Sequence, residues 1–183
     1  MSPLKNKITL VVAGTLMALS GALAGDVVRA DTASTVAVTS QSVEAQGEVL
    51  LTLDFDGKET HLTLQDLQAL GAESIETATI WTTGPQRFTG VSLATLVAGL
   101  PLSSGALEAR AVNQYSAQIP LSDAVQGGPI IAYLRNGKTM SLRGKGPLWL
   151  VYPYDSNPAY RTEAVYSRSI WQLDRLTLKS ATE

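Results

Sequence analysis

The chain has 183 residues, with 14 Lys and Arg, 16 Asp and Glu, one His and no Cys. At 45% hydrophobic and 16% charged, with a formal net charge of −2, it is globular in composition and carries no basic stripe suited to nucleic acid. The missing thiols exclude thiolate metal ligands, Cys nucleophiles and iron–sulfur clusters, and a single His61 leaves little for a histidine-based metal site or a Ser-His-Asp triad.

Lys5 and Lys7 precede an uncharged apolar run over 8–24, and small-residue exits follow at Ala22-Leu23-Ala24 and Val28-Arg29-Ala30. This pattern predicts a secretory signal peptide over residues 1–30 and a periplasmic or extracellular mature chain. An uncleaved anchor is the other reading, since the run matches the shortest spans of ~17 residues; only then is the membrane a partner. Residues 31–47 are small and polar and read as a flexible N-terminal segment. The folded domain is expected over 48–180.

Alternation of Val49, Leu51, Leu53 and Phe55 with Leu50, Thr52 and Asp54 predicts a strand, turned at Asp56-Gly57 into a second strand over 58–62. Thr63 with Asp66 three residues later predicts the N-cap of a short helix reaching residue 70, closed by Gly71. A Thr- and Ile-rich strand is expected over 74–81, then a loop over 82–86. Ser92 caps a second predicted helix over 93–98, which Gly99 and Pro101 end. Strands over 107–112 and 116–119 flank Asn113-Gln114-Tyr115, and a helical turn follows over 121–125. A strand over 130–134 ends at the hairpin signal Asn136-Gly137. The apolar run 148–152 reads as a strand covered on both faces. A long loop over 153–164 and a last strand over 170–178 complete an α+β domain with a few short helices and one main mixed sheet.

Arg143 and Lys145 lie among glycines ahead of that apolar run. Glycine-flanked cations suit an anion held by backbone N–H groups and side-chain charge; a solvated turn is the plainer reading. All six tyrosines and two of the three tryptophans lie beyond residue 114, with Tyr152, Tyr154, Tyr160 and Tyr166 around the long loop. With Asn113, Arg143 and Arg168 they read either as the walls of an organic-ligand cleft or as the wet edge of a core. Asp123, Asp155 and Glu163 have no spacing that marks a catalytic pair and read as solvated carboxylates. Ser167 and Ser169 lack a nucleophile-elbow pattern.

Four stretches, FTGVSLATLVAGL (88–100), NQYSAQIPLSDA (113–124), IIAYLRNGKTMSLRGKGPLWLVYP (130–153) and SRSIWQLDRLTL (167–178), together resemble the molybdopterin-binding domain of the sulfite oxidase-like oxidoreductases. The resemblance covers most of 48–178 and implies that family's mixed-sheet α+β fold in a small secreted subgroup. The departures lie where the family holds its cofactor. The metal-binding Cys follows a strand placed like 74–81, where this chain reads Ile80-Trp81-Thr82. The family's His-Gly-x-Pro becomes Gly144-Lys145-Gly146-Pro147, an Arg becomes Trp149, and a Lys before Trp-Leu gives way to Trp171 and Gln172. Each lost charge-assisted hydrogen bond is worth roughly 1.5–3 kcal/mol to a bound phosphate.

The resemblance therefore implies a non-catalytic binding or accessory module, without catalytic residues or metal ligands. It would take a small anionic or aromatic ligand, or an envelope protein partner. Asn113, Tyr115, Arg143, Lys145, Tyr152, Tyr154 and Arg168 are expected around its cleft, the cations meeting anionic groups and the tyrosines stacking. No cofactor is expected; molybdopterin enters by resemblance alone. Two alternatives stand beside this: a molybdopterin-dependent oxidoreductase with atypical metal ligation, and an envelope protein-interaction domain without a ligand cleft.

Overall fold

The computed structural model describes residues 47–98, 100 and 105–178. The expected signal segment, the tether over 31–46, the helix-ending Gly99 and Pro101 and the domain's expected last residues, 179–180, lie outside the described residues.

Local chemistry accounts for the first elements. Strand β1 (Val49–Phe55) buries Leu51 and Leu53 on one face and turns at Asp56-Gly57, both at positive φ, into β2 (Lys58–Thr63). Helix α1 (Leu64–Ala69) opens on a complete capping box: Asp66 N donates to Thr63 Oγ1 at 3.3 Å, and Thr63 N donates to Asp66 Oδ2 at 2.9 Å. Strand β3 (Glu73–Ala78) pairs with β4 (Pro85–Ser92), which runs into helix α2 (Leu93–Val97) through the Ser92 cap. Strands β5 (Ala106–Ala111) and β6 (Ser116–Pro120) form a hairpin, followed by a 3-10 turn at Leu121–Asp123. Strand β7 (Ile130–Arg135) turns at Asn136-Gly137, both at positive φ, into the short β8 (Lys138–Thr139). After a 3-10 turn at Leu142–Gly144 come β9 (Trp149–Val151), a second such turn at Pro158–Tyr160, α3 (Glu163–Arg168) and β10 (Leu173–Leu178).

The described residues form an α+β domain, with three short α-helices and two sheets among them in place of the one main sheet expected. The first sheet has the order β2-β1-β10-β5-β6 and is mixed, because β1 and β10 are parallel. In the second, β3-β4-β7-β8, every pair is antiparallel and β9 joins β7 beside β8. The chain alternates between the two sheets, which a linear reading of strands does not reveal. Leu51, Leu107 and Leu176 from the first sheet and Phe88, Ile130 and Leu150 from the second belong to one buried apolar cluster. Each such side chain contributes about 1.5–3 kcal/mol by leaving water.

Two elements differ from expectation for identifiable reasons. Strand β4 begins inside the expected loop; Pro85 and Gly90 mask its strand pattern. A Cβ at Gly90 would stand 2.0 Å from the Ile131 carbonyl oxygen, so glycine permits the close pairing with β7 at a register shift. Helix α3 begins inside the expected loop over 153–164 and runs through residues for which no element was expected. Its start is nonetheless chemically marked: the Thr162 side chain accepts from Val165 N at 3.3 Å, with Glu163 in the first turn.

Candidate functional site

Three segments converge on one cleft of about 560 Å³: the turn after β3, the turn between β5 and β6, and the stretch from α3 to the start of β10. In the first, Thr79 Oγ1 accepts from Trp81 N at 3.1 Å and lies 2.8 Å from Thr82 Oγ1, which fixes the turn that presents Ile80 and Trp81. In the second, Asn113 Oδ1 accepts from Tyr115 N at 3.1 Å, and Tyr115 OH donates to the Ser167 carbonyl at 3.0 Å, tying the turn to α3. The third contributes Glu163, Tyr166 and Trp171 to the lining.

The floor is a connected set of rings. Trp81 meets Trp171 edge-to-face at 5.3 Å between centroids, and meets Tyr166 and Trp149 at 5.9 Å each. Trp149 is fully buried; its indole N–H donates to the Ser169 carbonyl at 3.2 Å, and its backbone bridges to Trp171. All three tryptophans of the chain therefore lie in one cluster. Ile80 is 61% exposed and Tyr115 48% exposed, so the mouth of the cleft is also apolar.

Of the residues expected around a cleft, Asn113 and Tyr115 line this one. Tyr152 and Tyr154 do not: both are buried. Tyr152 OH donates to Asp123 Oδ2 at 2.8 Å, and Tyr154 OH donates to Ser169 Oγ at 2.6 Å. Burial pushes the Tyr154 phenol up to about 12, and burial first, then the hydrogen bond to Asp123, raises that of Tyr152. Both stay protonated donors within the core. Arg168 also lies outside the lining; its Nη1 donates to Asp123 Oδ2 at 3.0 Å, so this guanidinium is committed to an internal ion pair.

The glycine-flanked loop is not an anion nest. Gly144 N and Gly146 N each donate to the Ser141 carbonyl at 2.8 Å, and Lys145 N donates to the Leu142 carbonyl at 3.2 Å. These amides close a tight turn instead of facing a ligand. Arg143 is exposed on that turn, outside the cleft lining. Lys145, at φ 77°, places its Nζ 3.8 Å from the Trp171 ring centroid and 5.7 Å from that of Trp149. Desolvation by burial, and then the charge of Arg135, hold its pKa below the usual lysine value.

Trp81, Glu163 and Trp171 are cleft residues that sequence reasoning gave no role in a site, whereas Tyr166 was among the tyrosines weighed as cleft walls. A signal existed for each of them. Trp81 and Trp171 stand where the resemblance fails, and Thr162-Glu163 is a helix start that would have placed Glu163 and Tyr166 on one short element. The cleft serine hydroxyls are already used: Ser169 Oγ donates to the Val165 carbonyl at 2.8 Å, and Ser167 Oγ to the Ala164 carbonyl at 2.8 Å.

The donor set bears on molybdopterin directly. Among the described residues Glu163 is the one charged side chain in the lining, so the cofactor's phosphate would meet a carboxylate and aromatic faces in place of cations, and its metal would find no thiolate. These residues do not fit that group. Among the described residues, no group of three or more His, Asp or Glu is placed to hold a metal ion, and no helix is long and apolar enough to cross a membrane. No family model matches the chain, and no curated protein matches it.

Proposed function

We propose that this chain is a periplasmic or extracellular non-catalytic binding module on a scaffold related to the sulfite oxidase-type molybdopterin-binding domain, and that its aromatic cleft takes a small organic ligand. The observation that carries the reading is the tryptophan cluster, two members of which line the cleft while the third, Trp149, packs beneath them. Trp81, Trp149 and Trp171 stand at or beside the positions where the resembling family keeps its metal thiolate and cofactor cations, and here they pack on one another. An anion-holding, metal-holding site is replaced by an apolar, π-rich one. The volume of about 560 Å³ lies within the roughly 300–1,000 Å³ typical of small-molecule sites.

The test is a ligand screen read by tryptophan fluorescence, combined with molybdenum analysis of protein from its native host. Saturable quenching that Trp171→Ala abolishes, without stoichiometric molybdenum, is the expected result. Stoichiometric pterin-bound molybdenum would sink the reading in favour of an oxidoreductase with atypical ligation. A second reading, an envelope protein partner, draws on apolar exposure. Val112 N donates to the Gln172 carbonyl and Gln172 Nε2 to the Leu142 carbonyl, which sets the exposed Val112 and Leu142 beside Trp171. A partner captured by the wild-type chain and retained by the Trp171→Ala variant would favour it.

A further inference from the structure

We infer that the cleft selects an organic cation with an apolar head, of the alkylated ammonium class; this rests on the proposed binding role and names the ligand chemistry of that same site. Four aromatic side chains, Trp81, Trp171, Tyr115 and Tyr166, line it, and ring faces carry the negative end of the aromatic quadrupole. Trp81 stands nearly perpendicular to both Trp171, at 85°, and Tyr166, at 83°, so the rings form walls of differing orientation instead of one flat stack. Such corners suit a rounded ammonium head better than a planar ring, which needs parallel faces.

Charge points the same way. Among the described residues Glu163 is the one ionisable carboxylate in the lining, and no hydrogen bond or ion pair engages its side chain. The neighbouring cations are occupied elsewhere: Arg168 on Asp123 at 3.0 Å and Arg161 on Asp155 at 3.0 Å. Lys145 shows that this cluster already accepts an ammonium, since its Nζ rests 3.8 Å from the Trp171 centroid without a carboxylate partner. That same charge opposes a second cation brought near the Trp171 ring. It follows that removing Lys145 tightens the binding of a cation, whereas it would weaken the binding of an anion.

The experiment titrates the full chain with choline, its neutral dimethylbutanol isostere and benzoate, following the indole N–H resonances of Trp81 and Trp171. Choline is expected to saturate both signals at about tenfold lower concentration than the neutral isostere, the cation–π and carboxylate contributions together. Glu163→Gln, which keeps the helix start, is expected to weaken choline about threefold to tenfold and leave the isostere unchanged. Lys145→Met is expected to tighten choline by about threefold. Equal affinity for choline and the isostere overturns the inference and leaves a purely apolar binding cleft. Tighter benzoate binding that Lys145→Met weakens also overturns it, in favour of an anion site. If none of the three probes moves either indole signal at millimolar concentration, both the inference and the small-ligand reading fall. Unchanged thermal melting of each variant separates lost binding from lost fold.

Discussion

Two surfaces of this domain each hold a cavity, and they spend their charges differently. On the first sheet, Asp54, Glu108, Arg110, Arg175 and Thr177 line a pocket of about 330 Å³. There Arg175 pairs with Glu59 at 2.5 Å and with Asp54 at 3.8 Å across neighbouring strands. Cations and carboxylates are mixed on that surface, although Arg110 Nε is buried there without a hydrogen-bond partner. The aromatic cleft differs: its nearby cations are committed to internal partners, while its ring faces and Glu163 stay open. Count of charged residues is thus a poor guide to a site; what differs is their setting, with both signs side by side on the first sheet and one carboxylate among aromatic rings in the cleft.

The comparison breaks most readily at Trp149, which belongs to the core although its neighbours line the cleft. Trp149→Ala is expected to cost about 3–5 kcal/mol in denaturant unfolding, because a fully buried indole leaves a cavity and strips Phe88 and Trp81 of contacts. Asp123→Ala comes next, at about 2 kcal/mol, since it leaves both Tyr152 OH and Arg168 without their acceptor in a partly buried place. Tyr152→Phe removes one of those bonds, and a loss of about 1 kcal/mol is expected in the same measurement.

Acid separates a fourth effect. Hydrogen bonding from Ala78 N, at 2.6 Å, and then the charge of Arg161 hold Asp155 below the ordinary carboxylate range. A depressed folded-state pKa contributes stability that is present above the unfolded value of about 3.9 and is lost as pH falls through the folded one. The melting temperature of wild type is therefore expected to fall more steeply below pH 4 than that of Asp155→Asn, and parallel acid profiles would remove Asp155 as the cause. Arg143→Ala closes the series, with a change within about 0.5 kcal/mol and no effect on ligand binding. A tenfold loss of ligand affinity in that variant would restore the anion-binding reading of its loop.

Much of the fold was written locally. Asp56-Gly57, Thr63 with Asp66, Ser92 and Asn136-Gly137 each carry their own chemistry, and each sits in the turn or cap that its residues specify. The partition of strands into two sheets was not legible, because pairing between residues as distant as Thr52 and Arg175 leaves no mark on either neighbourhood. The site follows the same division. Asn113 and Tyr115, expected around a cleft through the resemblance, lie in the lining of the aromatic one. Tyr152, Tyr154 and Arg168 were misplaced because identity alone does not tell a tyrosine at a rim from one whose hydroxyl meets Asp123 or Ser169 inside. For Arg143 and Lys145, the glycines suggested free amides, and the turn's own carbonyls had already claimed them.

The order of strands in the first sheet has a temporal consequence. Strand β10 lies between β1 and β5, so the middle member of the five is the last of the described strands to leave the ribosome. Until it arrives, the β1–β2 and β5–β6 hairpins have no common neighbour, and their inward leucines stay wet along the edges that β10 will join. A nascent chain halted before residue 173 would thus be two loose hairpins and an unfinished interior, prone to stray pairing, whereas adding the final strand closes the structure in one cooperative step.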